Sequence, residues 1–204
     1  MTFVPMHTIL KPDKVGNASL TYEEVSEQMA QFSQLRAVVT QGREHPVQPG
    51  TYVRLEVNGT LMMTDMQMEQ NSNLDVVWKA KGDVLIAGLG LGMILVPILA
   101  KPQVRTVTVI EKYQDVINLV ALPIMSLPGA EKLKIVRADI FDWAPPQGQK
   151  WDTIYFDIWP NICEDNLPEM SRLHKKFAHR KKPGAWMQSW KRRWLLARSQ
   201  MRGK

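Results

Sequence analysis

Apolar residues follow two different patterns along the chain, and the change falls near residue 80. Beyond it, short and mostly apolar runs alternate with stretches in which apolar residues recur at helical spacing. The runs predict five strands, at 83–87, 105–110, 133–137, 152–157 and 185–189. The stretches between and after them predict helices at 91–101, 113–121, 162–179 and 191–201. Because strands that are apolar on both faces and separated by helices are typical of a covered parallel sheet, we expect a doubly wound, Rossmann-like α/β core.

A hairpin is predicted ahead of this core. Residues 51–57 alternate apolar and polar side chains, as a strand with one buried face does. Asn58 and Gly59 follow, and this dipeptide favours a two-residue hairpin turn. Residues 60–65 then form the returning strand.

A helix is predicted before the hairpin. Thr21 and Glu24 have the spacing of a capping box, and apolar residues continue at helical spacing over 25–39. We therefore expect two units: an N-terminal helix and β-hairpin over residues 1–75, and the α/β core over residues 76–204.

Three glycines follow the first predicted strand of the core, at Gly88, Gly90 and Gly92. Glycines at this turn allow a tight bend and the close approach of a bound molecule. A P-loop is excluded because no Gly-Lys-Ser/Thr sequence follows, and Met93 stands where a dinucleotide fingerprint has its last glycine. The alternative is a tight turn that binds no ligand.

Acids follow the next two predicted strands. Glu111 ends the second strand, where a carboxylate accepts hydrogen bonds from both ribose hydroxyls of a nucleotide. Asp139 follows the third strand, where it would accept from an adenine amino group while Ile140 packs on the ring. Alternatively, Glu111 is an exposed acid at a helix start and Asp139 a helix N-cap. Together with the glycine turn they predict an adenosine pocket without a phosphate clamp.

Composition bears on the compartment of the protein and on the distribution of charge along the chain. The chain of 204 residues has one cysteine, Cys163, and no signal-peptide pattern at its start, so we expect a cytoplasmic protein. Glycines and Pro97 argue against a membrane span over the uncharged residues 84–100. Residues 170–204 carry 12 Lys or Arg and no acid. That basic end is either a nucleic-acid or other anionic-partner surface, or a set of solvated helix faces. A basic end on an otherwise acidic chain would also suit a homo-oligomer.

Several motifs of the chain resemble those of class I S-adenosylmethionine-dependent methyltransferases, specifically of their spermidine-synthase-like branch. The likeness covers roughly residues 50–200. It is carried by LEVNGTLMMTD in the hairpin and by VLIAGLGLG, VTVIE, RADIFDW, WDTIYFDIWP and GAWMQSW in the core. The resemblance implies the strand order 3-2-1-4-5 and bound S-adenosylmethionine. It also places Gln188 on a glutamine that touches substrate.

The chain departs from this family at several positions. Ile86 and Leu91 stand where many relatives carry acids near the glycine turn, so the methionine amino group needs another partner, either Asp157 or the N-terminal segment. Spermidine synthases carry a second catalytic acid at the position of Pro160, which argues against aminopropyl transfer. The usual final β-hairpin is expected to be missing.

The end of the fourth strand is the predicted reaction centre. Asp157 would orient an acceptor amine or take its proton, or would only hold the methionine amino group. Trp159 and Asn161 follow as candidate acceptor contacts, because an indole face attracts cations. The alternative for Trp159 is a place in the core.

Three functions follow from these predictions. The first is a methyltransferase that uses S-adenosylmethionine on an unidentified small or polymeric acceptor. The second is an aminopropyltransferase. The third is a catalytically idle protein that binds the cofactor or nucleic acid. We predict no metal site, because methyl transfer needs none and because His174 and His179, five residues apart, do not share a helix face.

Overall fold

The computed structural model describes residues 3–40 and 45–202, which contain two β-sheets. The first sheet is antiparallel, and its four strands follow chain order: β1 (Asp13–Val15), β2 (Ala18–Val25), β3 (Gly50–Val57) and β4 (Thr60–Thr64). Asn58 and Gly59 join β3 to β4 with φ of 53° and 73°, the left-handed conformation that this two-residue turn requires. The predicted hairpin is confirmed.

The predicted capping box is wrong. Its residue Thr21 lies inside β2, which pairs with β3 along its whole length. The first helix, α1 (Glu27–Val39), starts instead at Ser26, whose side-chain oxygen caps it. Ala18 and Leu20 are buried on one face of β2, and this period of two outweighs the short capping signal.

Helix α1 presents apolar side chains to solvent. Phe32 is 71% exposed and Val39 is 81% exposed. Helical spacing therefore identified the helix but not a buried face. Two short helices, α2 (Gln67–Ser72) and α3 (Leu74–Lys79), lead from β4 to the second sheet.

The second sheet is parallel and confirms the predicted α/β core. Its strands are β5 (Gly82–Ala87), β6 (Val104–Glu111), β7 (Leu133–Arg137), β8 (Trp151–Phe156) and β9 (Lys181–Ser189). Their order is β7-β6-β5-β8-β9, so the predicted order 3-2-1-4-5 is confirmed. The helices of this half are α4 (Leu95–Leu99), α5 (Gln114–Met125), α6 (Leu167–Phe177) and α7 (Arg192–Arg202).

Some predicted helix bounds were too wide. Helix α4 has five residues, because the glycine turn occupies the start of the predicted segment 91–101. Short 3-10 helices, Glu164–Asn166 and Ala178–Arg180, flank α6, so the predicted helix 162–179 is divided into three segments that begin at Glu164.

One hydrophobic core joins the two sheets. Leu55 of β3, Ile86 of β5 and Val120 of α5 belong to the same buried cluster. Helix α5 packs against β1 and β2 as well as against β6 and β7. The antiparallel sheet is thereby held beside the parallel sheet.

In the described part of the chain, no helix is long and apolar enough to cross a bilayer. The uncharged residues 84–100 divide between β5, the glycine turn and α4. After β9 the described chain continues as α7 up to residue 202, and within it the final β-hairpin of the methyltransferase fold is absent.

Candidate active site

A cavity of about 670 Å³ lies where the carboxyl ends of β5, β6 and β8 meet the antiparallel sheet. Ligand pockets of small molecules commonly have volumes of this order, and in open α/β sheets they lie at this edge. Seven of the predicted site residues line it: Gly88, Gly90, Glu111, Asp139, Ile140, Asp157 and Trp159. The parallel sheet therefore brings together residues that are far apart in the sequence.

Three predicted site residues are not among those lining this cavity. Gly92 packs against Ile124 of α5. The backbone carbonyl of Asn161 accepts a hydrogen bond from the side chain of Asn166. The side-chain oxygen of Gln188 accepts from the backbone N–H of Ser189 at 3.1 Å.

The glycine turn makes room for protein atoms. At Gly88, where φ is 97°, an added Cβ would collide with the backbone carbonyl oxygen of Asp157. At Gly90, where φ is 50°, it would lie 2.6 Å from the sulfur of Met63. The missing Cβ atoms leave room for the end of β8 and for β4, while the backbone of both glycines lines the cavity. The close approach of a ligand to this backbone stays a prediction.

Glu111 connects the glycine turn to the end of β6. Its Oε2 accepts from the backbone N–H of Leu89 at 2.8 Å, and its Oε1 accepts from that of Tyr113 at 2.8 Å. The residue is only 6% exposed, and burial raises the pKa of its carboxyl despite these hydrogen bonds. A carboxylate has about four lone-pair sites, so it can accept from a hydroxyl group in the cavity in addition to its backbone donors.

Asp139 caps the turn that follows β7. Its Oδ1 accepts from the backbone N–H of Phe141 at 2.9 Å, and its Oδ2 lies 3.0 Å from Nζ of Lys112. Partial burial acts to raise the pKa of this carboxyl, but these two partners outweigh it and lower the pKa. Beside it, Ile140 is buried and contributes an apolar surface to the cavity.

Asp157 has a carboxylate without a partner. The residue directly follows β8, and its backbone N–H donates to Ala87, which holds it beside the glycine turn. Among the described residues, no hydrogen bond or ion pair reaches its side chain. Burial, together with the negative charge of Glu69, raises the pKa of Asp157 to about 8.

Glu69 is a further acid of the cavity, which the sequence did not reveal. It lies on α2 and accepts from the backbone N–H and the hydroxyl of Thr64, at 3.0 and 3.3 Å. Burial raises the pKa of Glu69 to about 7, although the Thr64 hydrogen bonds act to lower it. The segment QMEQNS carries no periodic or motif signal, so only tertiary packing discloses this acid.

Two tryptophans complete the lining near these acids. Trp159 is buried, packs in a core cluster and donates from Nε1 to Glu169 at 2.8 Å, so the predicted alternative of a core position also holds. Trp190 donates from Nε1 to Ser72 at 2.8 Å. Both lie on the cavity wall.

No metal site was predicted, because methyl transfer needs no metal and because His174 and His179 do not share a helix face. Within residues 3–40 and 45–202, no group of three or more His, Cys, Asp or Glu side chains is arranged to hold a metal ion. His174 is half-buried and its Nε2 lies 3.0 Å from the hydroxyl of Ser189, while His179 is exposed.

No family model and no curated protein matches the chain. Among solved structures, it is similar to spermidine synthase from Thermotoga maritima, with a TM-score of 0.49 and 17% identity over 67% of this chain and 48% of the other. It is also similar to the CcbJ methyltransferase from Streptomyces caelestis, with a TM-score of 0.48 and 14% identity over 59% and 47% of the two chains. The chain thus spans about half the length of these proteins.

The parallel sheet has a Rossmann-like α/β fold: its strand order is 3-2-1-4-5, helices follow four of its five strands, and a glycine turn follows the first.

Proposed function

We propose that this chain binds S-adenosylmethionine and transfers its methyl group to an acceptor held in the same cavity. The observation that supports it is the meeting of two acids in one concavity of about 670 Å³. Glu111 offers lone pairs at the end of the second parallel strand. Asp157 offers a carboxylate without a partner at the end of the fourth.

The lining fits the parts of the proposed cofactor. Glu111 would accept from the ribose hydroxyls while keeping its backbone hydrogen bonds. Ile140 would pack against the adenine ring, and Asp139 would accept from the adenine amino group through its remaining lone pairs. Ile86 and Leu91 offer no charge to the methionine amino group, so its partner would be Asp157 or an acid of the N-terminal part of the chain.

Bound S-adenosylmethionine supplies a methyl group on a sulfonium, which is already activated toward displacement. The protein's part is to align the acceptor with that carbon and to exclude alternatives, and alignment alone contributes several kcal/mol. Asp157 stands where it can orient the attacking atom and take its proton. Trp159 and Trp190 bound the space beside it.

A second candidate is aminopropyl transfer, and one observation favours keeping it. Pro160 replaces the second acid that spermidine synthases carry after the fourth strand. Glu69 brings a second carboxylate close to Asp157 from helix α2. Glu69 could therefore supply the second carboxylate that is missing at Pro160, and aminopropyl transfer stays a candidate reaction.

Calorimetry tests the proposal directly. The full chain is titrated with S-adenosylmethionine, its demethylated product, the decarboxylated donor and NAD. We expect binding of S-adenosylmethionine and its product. Tighter binding of the decarboxylated donor would favour aminopropyl transfer, and binding of NAD alone, or of none of the four, would overturn the proposal.

Glu111→Ala is the variant that locates the cofactor. Loss of hydrogen bonds to an ionised group should weaken S-adenosylmethionine binding by about tenfold or more. Glu131→Ala is the matched control, because this exposed acid lies in a 3-10 helix and does not line the cavity. Equal affinity of the two variants would remove Glu111 from the site, provided that thermal denaturation shows both to be folded.

A further inference from the structure

We propose that Glu69 and Asp157 together bind a protonated nitrogen of the acceptor, so that the transferred group is delivered to a small cationic amine or to an amine-bearing side chain. This inference rests on the proposed function and identifies its acceptor class. Glu69 belongs to none of the motifs that carry the family resemblance. It reaches the cavity from the N-terminal part of the chain, whereas Glu111, Asp139 and Asp157 lie at or just after the carboxyl ends of parallel strands.

The position of Glu69 is fixed by hydrogen bonds at the far end of its helix. Ser72, the last residue of α2, accepts from Trp190 at 2.8 Å. Asn73 follows, and its side-chain oxygen accepts from the hydroxyl of Tyr155 at 2.8 Å. Because these contacts tie α2 to β8 and to the end of β9, Glu69 is held near Asp157 by the buried structure.

The charge of this pair is not neutralised by the protein. Among the described residues, neither carboxylate has an ion-pair partner. Two cations of the described part of the chain line the cavity, and each has another partner: Lys112 pairs with Asp139, and Arg172 lies 5.1 Å from the ring of Phe141. Burial of acids without a compensating cation opposes folding, so their retention in a cavity points to a cation brought by a ligand.

A third acid strengthens the negative potential. Asp65 is buried, and the backbone N–H groups of Met6 and Val53 donate to its carboxylate at 2.8 and 2.7 Å. Its negative charge contributes to the raised pKa of Glu69. A protonated amine entering between Glu69 and Asp157 would therefore meet negative charge together with the apolar rings of the two tryptophans, which suits an ammonium on a carbon chain.

The chemistry of transfer follows from this placement. Asp157, ionised when the ammonium is bound, takes one proton from it and leaves a neutral amine. The nitrogen lone pair then forms a bond to the methyl carbon, while the carbon–sulfur bond breaks and its electron pair stays on sulfur. The products are an N-methylated ammonium and a neutral thioether. Glu69 keeps its charge throughout and holds the nitrogen in line.

The test is a binding measurement that needs no turnover. The full chain is titrated with n-butylamine, and with butan-1-ol as its uncharged match, while the indole N–H signals of Trp159 and Trp190 are followed by NMR. We expect saturable shifts of these signals with the amine and none with the alcohol. We also expect tighter amine binding at pH 8.5 than at pH 6, because the carboxylates are more fully ionised at the higher pH.

Glu69→Gln separates this inference from the proposed function. The amide keeps an acceptor for Thr64 but removes the charge, so amine affinity should fall about tenfold or more while S-adenosylmethionine affinity stays within about twofold. Glu56→Gln is the matched control, because Glu56 lies on β3, pairs with Arg54 and does not line the cavity.

Each other outcome contradicts the inference in a recognisable way. If amine and alcohol bind equally, or if Glu69→Gln leaves amine binding unchanged, the pair is not an amine site. If Glu69→Gln weakens S-adenosylmethionine as strongly as the amine, the pair serves the methionine amino group of the cofactor instead. Failure of S-adenosylmethionine to bind the unaltered chain overturns the proposed function but not the amine site.

Discussion

Asp157→Asn should stabilise the fold, and the gain should grow with pH. The ordinary aspartate pKa of 3.8 applies to the unfolded chain, whereas burial and Glu69 raise the pKa of Asp157 to about 8 in the folded chain. Between these values the folded state holds a proton that the unfolded state has lost. The stability of the unaltered chain therefore falls as pH rises, by up to ~1.4 kcal/mol per pH unit from this group. Above about pH 8 both states are ionised and the loss is complete.

The magnitude follows from the two pKa values. A difference of about four pH units corresponds to roughly 6 kcal/mol if the carboxyl were fully shielded from water. Because the half-buried side chain faces the cavity, we expect about half of that, ~3 kcal/mol at pH 8 and above. The asparagine does not titrate, so the variant should be nearly as stable as the unaltered chain at pH 5 and clearly more stable at pH 8.

Urea denaturation at pH 5, 6, 7, 8 and 9 measures this difference. Asp139→Asn is an instructive control, because its partners lower the pKa of Asp139 and its contribution is complete above the ordinary aspartate pKa. That variant should be destabilised by a constant amount over the same range. A difference for Asp157→Asn that does not increase with pH would refute the reasoning, and with it the burial of an uncompensated carboxyl at the end of β8.

Two further predictions concern the glycine turn and the attachment of helix α2. Gly90→Ala should lower the free energy of unfolding by about 1–2 kcal/mol in urea, because φ is 50° and the new Cβ would lie 2.6 Å from the sulfur of Met63; a neutral effect would show that the turn relaxes freely. Tyr155→Phe should lower it by about 1–3 kcal/mol, because the buried side chain of Asn73 loses its donor, and no loss would mean that α2 is not held through this bond.

The parallel core was predictable because its strands are buried on both faces. Mostly apolar runs separated by helical stretches leave few other arrangements, and all five strands lie where the sequence placed them, within a few residues. The hairpin was predictable for a local reason, since Asn58 and Gly59 adopt positive φ readily. By contrast, Thr21 belongs to a strand whose pairing with β3 depends on residues some thirty positions away.

The candidate site was predictable where it depends on strand ends. Glu111 ends a parallel strand, Asp139 and Asp157 follow two others, and the carboxyl ends of parallel strands meet at one edge of the sheet. Glu69 could not be predicted, because its place near Asp157 depends on how a short polar helix is tied to another part of the chain. The glycine turn was predictable from three glycines after the first parallel strand, but the sequence did not show that added Cβ atoms at Gly88 and Gly90 would meet protein atoms.

The cavity has contributors from both sides of residue 75. Leu55, Met63 and Glu69 form one side, and the loops after β5, β6 and β8 form the other. A small molecule that binds between these two sides binds only when they are packed together, so it stabilises the packed state by mass action. Affinity for the ligand and resistance of the whole chain to unfolding are therefore thermodynamically linked.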